Sequence, residues 1–401
     1  MKPFLDEPFT YHQEIELQIE TITNQGHGLG RVQDWVVMVK FALPGERVRV
    51  RIFKNHKNYS EADLMEVITP SLYRVQPLCG LFRQCGGCQY QHLDYAQQLW
   101  WKQKHVEETF QRLAGVNWPA QPTWPSPKPY HYRAKLTPHF EKLKGNSMPI
   151  GFLKEGRRRE LVDVPHCPLA TPAINEALTQ ERKRIQAGAC RLRRGGTLLL
   201  RDTDNGVVLQ PQSIVSQRVG QQKFEFVAGE FFQNNPYILP DFVAYVVAQA
   251  QSLQAHYLID AYCGVGLFGI AAAHLFQAFV GVEVNIQAIE LARRNAACNQ
   301  ISNSEFVLGQ SECIFKTVTF PAQDTVIILD PPRKGCDGSF LEQLVAYRPK
   351  GIVYVACDVA TQARDVHFLL QHQYQIQAIQ PFDLFPQTKH IENVVTLTAM
   401  P

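Results

Sequence analysis

The chain of 401 residues has no apolar run approaching the ~20 residues that a membrane-spanning helix needs. Its first residues, MKPFLDEPFT, lack the pattern of a secretory signal. These two absences argue against a helical membrane protein and predict a cytoplasmic location with no membrane partner. Internal repeats and low-complexity tracts are missing as well, which excludes repeat arrays. Charge of one sign is scarce: 40 Lys and Arg against 37 Asp and Glu leave a net +3, too little by itself to imply a nucleic-acid partner. What the chain does have is length for two or three domains and ten cysteines. In a chain without a signal these are expected to be reduced thiols. Cys79, Cys85 and Cys88 cluster, which points to a metal site. Cys167, Cys190, Cys263, Cys298, Cys313, Cys336 and Cys357 are scattered.

Three regions follow from patterning. Residues 14–20 alternate polar and apolar, a half-buried strand. Gly26, Gly28 and Gly30 form a turn region, VVMVKF reads as a strand, and Pro44-Gly45 has hairpin chemistry. In ERVRVRIF, Val48, Val50 and Ile52 share one side while Arg47, Arg49 and Arg51 share the other, continued by Lys54, His56 and Lys57. Residues 1–70 thus predict a small antiparallel β-barrel with a basic stripe, either a solvated strand face or a grip on a nucleic-acid backbone. Residues 71–225 form a central α+β region. Its helix at 95–114 carries Leu99, Val106, Phe110 and Leu113, and 118–138 is a proline-rich connection. Arginine-rich groups stand at Arg157, Arg158 and Arg159, at Arg182, Lys183 and Arg184, and at Arg191, Arg193 and Arg194. From 226 to 401 short apolar runs alternate with helical patterns, which predicts an α/β fold: a doubly wound, mostly parallel sheet covered on both faces.

The last region carries the chemistry. LIDAYCGVGLFGI runs from a strand through Gly264, Gly266 and Gly269 into a helix, and Glu283 ends the next strand. Bare glycine backbone and an acid for ribose hydroxyls suit any adenosine cofactor, nicotinamide or methyl donor alike. VIILDPPRKGC then puts Asp330 at a strand end before two prolines, the edge where open α/β sheets bind ligands. Hydride transfer has no use for that element, whereas methylation of a flipped base needs a clamp beside the methyl donor. Cys357 ends another apolar strand just before a helix, whose amino-terminus is expected to favour the thiolate; a buried structural cysteine is the alternative. Carbon 5 of uracil needs a thiolate added at carbon 6 before it can attack a methyl group, and a base must then remove the carbon 5 proton. Glu392, in FDLFPQTKHIENV, is the candidate base.

Over essentially its whole length the chain resembles the bacterial RNA uracil-5 methyltransferases, and within them the iron–sulfur 23S ribosomal RNA members. GHGLGR with FALPGERVRV is similar to their TRAM domain, and CGLFRQCGGCQYQ with PHCPL to their cluster-binding segment. GEFFQNN, LIDAYCGVGLFGI, VGVE, LDPPRKGC, VACDVATQARD and FPQTKHIEN follow in the family's order. The resemblance implies a class I, Rossmann-like catalytic domain behind an OB-like TRAM barrel and an iron–sulfur central domain. It implies Cys357 as nucleophile and Glu392 as proton acceptor. It also implies S-adenosylmethionine held by Gln233, Tyr262, Gly264, Gly266, Glu283 and Asp330, and a four-iron four-sulfur cluster on Cys79, Cys85, Cys88 and Cys167, with four-cysteine zinc as the alternative metal. The expected product is 5-methyluridine in 23S ribosomal RNA, made by a monomer. The same chemistry on transfer RNA, a nicotinamide oxidoreductase and a silent RNA-binding iron–sulfur protein are the alternatives. Cytosine-5 methylation is disfavoured, because Arg333 rather than cysteine follows Pro332. Two departures stand out. Asp358-Val359 replaces the family's usual Asn-Pro, and a carboxylate beside the thiol is expected to raise its pKa if unpaired. Leu267 stands where several members have Asn.

Overall fold

The computed structural model describes residues 7–141, 148–157, 159–187, 195–309 and 314–400, with residues 316 and 317 described by their backbone alone. Arg158, Cys190, Arg191, Arg193, Arg194 and Cys313 therefore lie outside the described residues. None of its helices is long and apolar enough to cross a membrane among those residues.

Strands β1 (Glu14–Ile22), β2 (His27–Val32), β3 (Trp35–Lys40), β4 (Arg47–Asn55) and β5 (Tyr59–Thr69) close into a barrel in the order β1-β2-β3-β5-β4. Leu17, Ile19, Val37, Val39, Val48, Val50 and Ile52 fill its interior, as the alternation requires. The barrel is not wholly antiparallel, because β3 and β5 pair in parallel. β4 is antiparallel to both β1 and β5, and closure then brings β5 alongside β3 with the same direction.

The central region contains α1 (Tyr95–Leu113), the short strands β6 (Lys135–Leu136), β7 (His139–Phe140), β8 (Ile150–Leu153) and β9 (Leu161–Asp163), and α2 (Pro172–Gln186). Next come β10 (Gly196–Thr197), β11 (Leu200–Thr203), β12 (Gly206–Val208), and the hairpin of β13 (Ile214–Val219) with β14 (Gln222–Val227). Small sheets run β10-β7-β8-β9 and β12-β11-β6. Two of these elements leave the region to which patterning assigned them. Val106 and Phe110 of α1 join a core under the large carboxy-terminal sheet, and Phe224 and Phe226 of β14 join the core on its other face.

The carboxy-terminal body is a seven-stranded sheet of β15 (Tyr257–Ala261), β16 (Ala278–Glu283), β17 (Ser304–Leu308), β18 (Thr325–Leu329), β19 (Gly351–Ala356), β20 (Tyr374–Phe382) and β21 (Glu392–Ala399). Its order is β17-β16-β15-β18-β19-β21-β20. The first five strands are parallel and β21 runs antiparallel to β19 and β20. Helices α3 (Leu239–Ser252), α4 (Leu267–Ala272), α5 (Ile286–Cys298), α6 (Ile314–Thr317), α7 (Gly338–Tyr347) and α8 (Val359–Gln371) complete it. The parallel strands are apolar at nearly every position because both faces are covered: Val326, Ile328, Val353 and Val355 pack on one side, and Ile327, Leu329, Ile352 and Tyr354 on the other.

Candidate active site

The strand order reverses between β15 and β18, and a cavity of about 930 Å³ opens there at the carboxyl ends of the parallel strands. After β15 the chain turns through Tyr262 (φ 64°), Gly264 (φ 54°) and Gly266 (φ 88°) before α4 begins. A Cβ on Gly264 meets nothing within 4 Å, so the backbone there faces open space; one on Gly266 would lie 2.8 Å from Ile270 Cδ1. Glu283 ends β16 and folds over this turn, accepting from the Gly264 N–H at 3.2 Å and from the Val284 and Asn285 N–H groups at 2.8 and 2.9 Å. Gln233 enters from the loop after β14. It is 4% exposed and its Oε1 has no protein partner. A buried acceptor without a donor is costly unless a ligand supplies one. That orphaned amide, the bare glycine turn and the cavity's size together fit S-adenosylmethionine. Gln233, Tyr262, Gly264, Glu283 and Asp330 all line the cavity, and Leu267 adds an apolar patch. Gly266 stands outside the wall, where its positive φ shapes the turn.

Cys357 and Glu392 line the same cavity. Cys357 directly follows β19 and Glu392 opens β21, whose antiparallel register pairs Ala356 with Asn393. Thirty-five residues of sequence are thus folded back so that the thiol and the carboxyl flank one strand junction. Asp330, just beyond β18, completes the group. Burial pushes its carboxyl up to about 7. Burial, then repulsion from Asp330, holds Glu392 well above the usual carboxylate range.

The expected lowering of the Cys357 thiol does not occur. Burial first, then Glu392 and Asp330, push it up to about 11, while Arg333, hydrogen-bonded to it, acts the other way. The amino-terminus of α8 offers little help because Asp358 caps it, accepting from Ala360 and Thr361 N–H at 3.1 Å each. The unusual Asp358 is therefore paired with backbone and is not what raises the thiol. Arg333, in the cavity wall beside the thiol, is a candidate site residue that the sequence reading passed over, although it stands three positions after Asp330. Asn235 was passed over too: it is fully buried and donates to Ser126 Oγ and Leu384 O, both at 3.0 Å, which fixes the loop carrying Gln233.

Cys79, Cys85, Cys88 and Cys167 line a second cavity of about 370 Å³, and Gly87 and Arg133 belong to the walls of both cavities. Burial pushes Cys85 and Cys167 up and Cys88 up to about 12, and repulsion from neighbouring cysteines adds to these three shifts. Gln91 holds the loop by accepting from the Cys79 N–H at 3.0 Å and donating to Cys88 Sγ at 3.2 Å. Among the described residues no three His, Cys, Asp or Glu side chains meet closely enough to hold a single ion.

The basic groups fare differently from expectation. Arg47 and Arg49 pair with Glu16, Arg49 also with Glu66 at 2.7 Å, and Lys54 and His56 with Glu61 at 3.9 and 2.6 Å. The stripe is largely neutralised by acids on the neighbouring strands. Arg182 is buried and bidentate on Asp163, a packing role. Arg157, Arg159, Lys183 and Arg184 are exposed.

Comparison with known proteins agrees with this geometry. Residues 197–400 match the family described as tRNA (Uracil-5-)-methyltransferase, and residues 9–65 match the TRAM domain. A tRNA (uracil(54)-C(5))-methyltransferase of Schizosaccharomyces pombe is 42% identical over 99% of this chain and 80% of its own length. The enzyme of that name from Saccharomyces cerevisiae is 33% identical over 96% of this chain and 73% of its own. The crystal structure of Pyrococcus abyssi tRNA (uracil-54, C5)-methyltransferase with S-adenosyl-L-homocysteine shares the fold, with a TM-score of 0.73, 24% identity, and 96% of this chain and 100% of that one covered. With a family match spanning half its length and a relative this similar across nearly all of it, the chain belongs to the tRNA (uracil-5-)-methyltransferase family and is an RNA uracil-5-methyltransferase.

Proposed function

We propose that the protein methylates carbon 5 of a uridine in transfer RNA, with the uridine at position 54 as the first candidate, using Cys357 as nucleophile and Glu392 as general base. The observation that carries the chemistry is the meeting of Cys357, Glu392, Asp330 and Gln233 in the wall of one cavity. The cysteine-rich segment favoured ribosomal RNA. The two yeast relatives described above are named as transfer RNA enzymes, and at 42% and 33% identity they move the reading there.

Asp330 and the orphaned Gln233 amide are suited to hold the edge of a flipped uracil. The Cys357 sulfur then adds to carbon 6, with Arg333 favouring the thiolate and Asp330, near 7, able to take the thiol proton. S-adenosylmethionine supplies the methyl group to carbon 5. Glu392 next removes the carbon 5 proton; the electrons of that C–H bond form the C5–C6 double bond as the C6–S bond breaks and the sulfur leaves with its pair. Burial suits Glu392 to this task, because a desolvated carboxylate is a stronger base than one in water.

The four cysteines fit a four-iron four-sulfur cluster: all four thiols line one cavity of about 370 Å³, more room than a single tetrahedrally held zinc ion needs. Cys79, Cys85, Cys88 and Cys167 would hold it. Its role on this reading is to fix the loop next to the active site.

The test uses anaerobically purified protein, methyl-labelled S-adenosylmethionine, and unmodified transfer RNA and 23S ribosomal RNA transcripts in parallel, with Cys357→Ala beside the wild type. 5-Methyluridine in transfer RNA alone, abolished in the variant, is the expected result. Label in ribosomal RNA alone refutes the substrate. Label persisting in Cys357→Ala refutes the nucleophile.

A further inference from the structure

We infer that Gln98 and Gln387 are positioning residues for the proton-abstraction step, holding the segment that delivers Glu392; the inference rests on the assignment of Glu392 as base. Cys357 follows a strand in the middle of the sheet and is fixed by it. Glu392 is the first residue of β21, paired with Phe382 of β20, and the residues before it, 383–391, are an irregular connection between the two strands that sets how β21 begins.

The connection is held from outside the catalytic body. Gln387 is 2% exposed and sits at φ 68°, a left-handed conformation that a residue with a side chain keeps only when its surroundings enforce it. Gln98, on α1, makes a reciprocal amide pair with it: Gln98 Nε2 donates to Gln387 Oε1 at 3.0 Å, and the Gln387 N–H donates to Gln98 Oε1 at 3.1 Å. Gln98 is itself anchored, donating to Leu93 O at 2.8 Å and Tyr90 O at 3.2 Å. The Gln387 carbonyl accepts from the N–H groups of Gln89 and Tyr90 at 3.1 and 3.0 Å. Every polar group of Gln387 except its side-chain NH2 is thus committed to α1 or to the segment that follows Cys88. None of these bonds touches Cys357, Asp330 or Gln233. Loosening them should disturb the base while leaving the nucleophile and the methyl-transfer geometry in place.

That separation has a chemical signature. If sulfur addition and methyl transfer proceed but proton removal lags, the methylated RNA stays bound to Cys357 as a covalent adduct. Single-turnover reactions with methyl-labelled S-adenosylmethionine, quenched in detergent, would measure the label in the protein–RNA adduct against the label in free RNA. The substrate is whichever RNA the wild type methylates. A misplacement of about 1 Å costs about 10²-fold, so Gln98→Met and Gln387→Gly should slow adduct resolution about 10- to 100-fold with initial methyl transfer little changed. Gln387→Gly also accepts the positive φ, which protects against simple misfolding. Val106→Ala, a cavity in α1 remote from the amide pair, serves as the control for lost stability: it should lower active enzyme without changing the partition between adduct and product. Glu392→Gln is the reference and should trap the adduct. If the Gln98 and Gln387 variants partition like Val106→Ala while Glu392→Gln traps adduct, the positioning role is wrong. If Glu392→Gln itself traps none, the base assignment fails and the inference fails with it.

Discussion

Arg333→Gln should slow chemical alkylation of Cys357, and the expected size follows from the site. The thiol is pushed up to about 11, so at pH 8 only about one Cys357 in a thousand is thiolate. Burial and the two carboxylates raise it, and the Arg333 guanidinium is the one neighbour that both donates to the sulfur and lowers it. A hydrogen bond to a charged group is worth ~1.5–3 kcal/mol in a sheltered site. Arg333 is exposed, so solvent screening reduces this to ~1 kcal/mol or less, which is below about one pKa unit. Iodoacetamide labelling at pH 8 should therefore slow about two- to fivefold in Arg333→Gln and less in Arg333→Lys, which keeps the charge. The difference should shrink in ~1 M salt. With ten cysteines in the chain, the label must be read on the Cys357 peptide by mass spectrometry. In the wild type the rate should climb about tenfold per pH unit with no plateau below pH 10. A plateau near pH 7, or equal rates in wild type and Arg333→Gln, would refute the electrostatic account of the nucleophile.

Three further outcomes follow from the same structure. Lys102→Met leaves the buried Asp383, 2.6 Å from the Lys102 ammonium, without its counter-charge and should cost ~3–5 kcal/mol by urea unfolding, with Lys102→Met/Asp383→Leu recovering most of it. Asp358→Ala removes the cap of α8 and should lower stability by ~1 kcal/mol, whereas Asp358→Asn should cost only a few tenths; equal losses would mean the carboxylate does something besides capping. Anaerobic protein should contain about four irons and four sulfides with broad visible absorption, lost in Cys88→Ala; one zinc per chain instead would displace the cluster.

Much of the architecture was legible because strand burial on both faces writes itself as unbroken apolar runs, as in TVIIL and GIVYVA. Cys357 was legible for a related reason: it ends such a run, at the edge where ligands bind. Glu392 was found from the reaction's need for a base and from resemblance, since nothing in its neighbours marks it. What stayed hidden depends on distance in space. Gln98 and Gln387 stand 289 residues apart, and no periodicity links them. The arginines of β4 read as a free basic stripe because their acidic partners, Glu16 and Glu66, come from strands whose register the sequence does not print. The thiol's shift was misjudged because burial and two carboxylates distant in sequence outweigh Arg333, and the sequence does not print that they meet at the sulfur. Helix α1 showed its apolar face but not that α8 would cover it.

The place of β21 between β19 and β20 has a consequence in time. β20 precedes β21 in the chain, yet it reaches the sheet only through β21. β20 and β21 pair across a short connection, whereas β21 pairs with β19 across a longer sequence separation, so the hairpin is expected to form before it docks. That single docking brings Glu392 to Cys357 and closes one wall of the cavity. A chain in which that hairpin has not seated therefore lacks both Glu392 beside Cys357 and one side of the cavity.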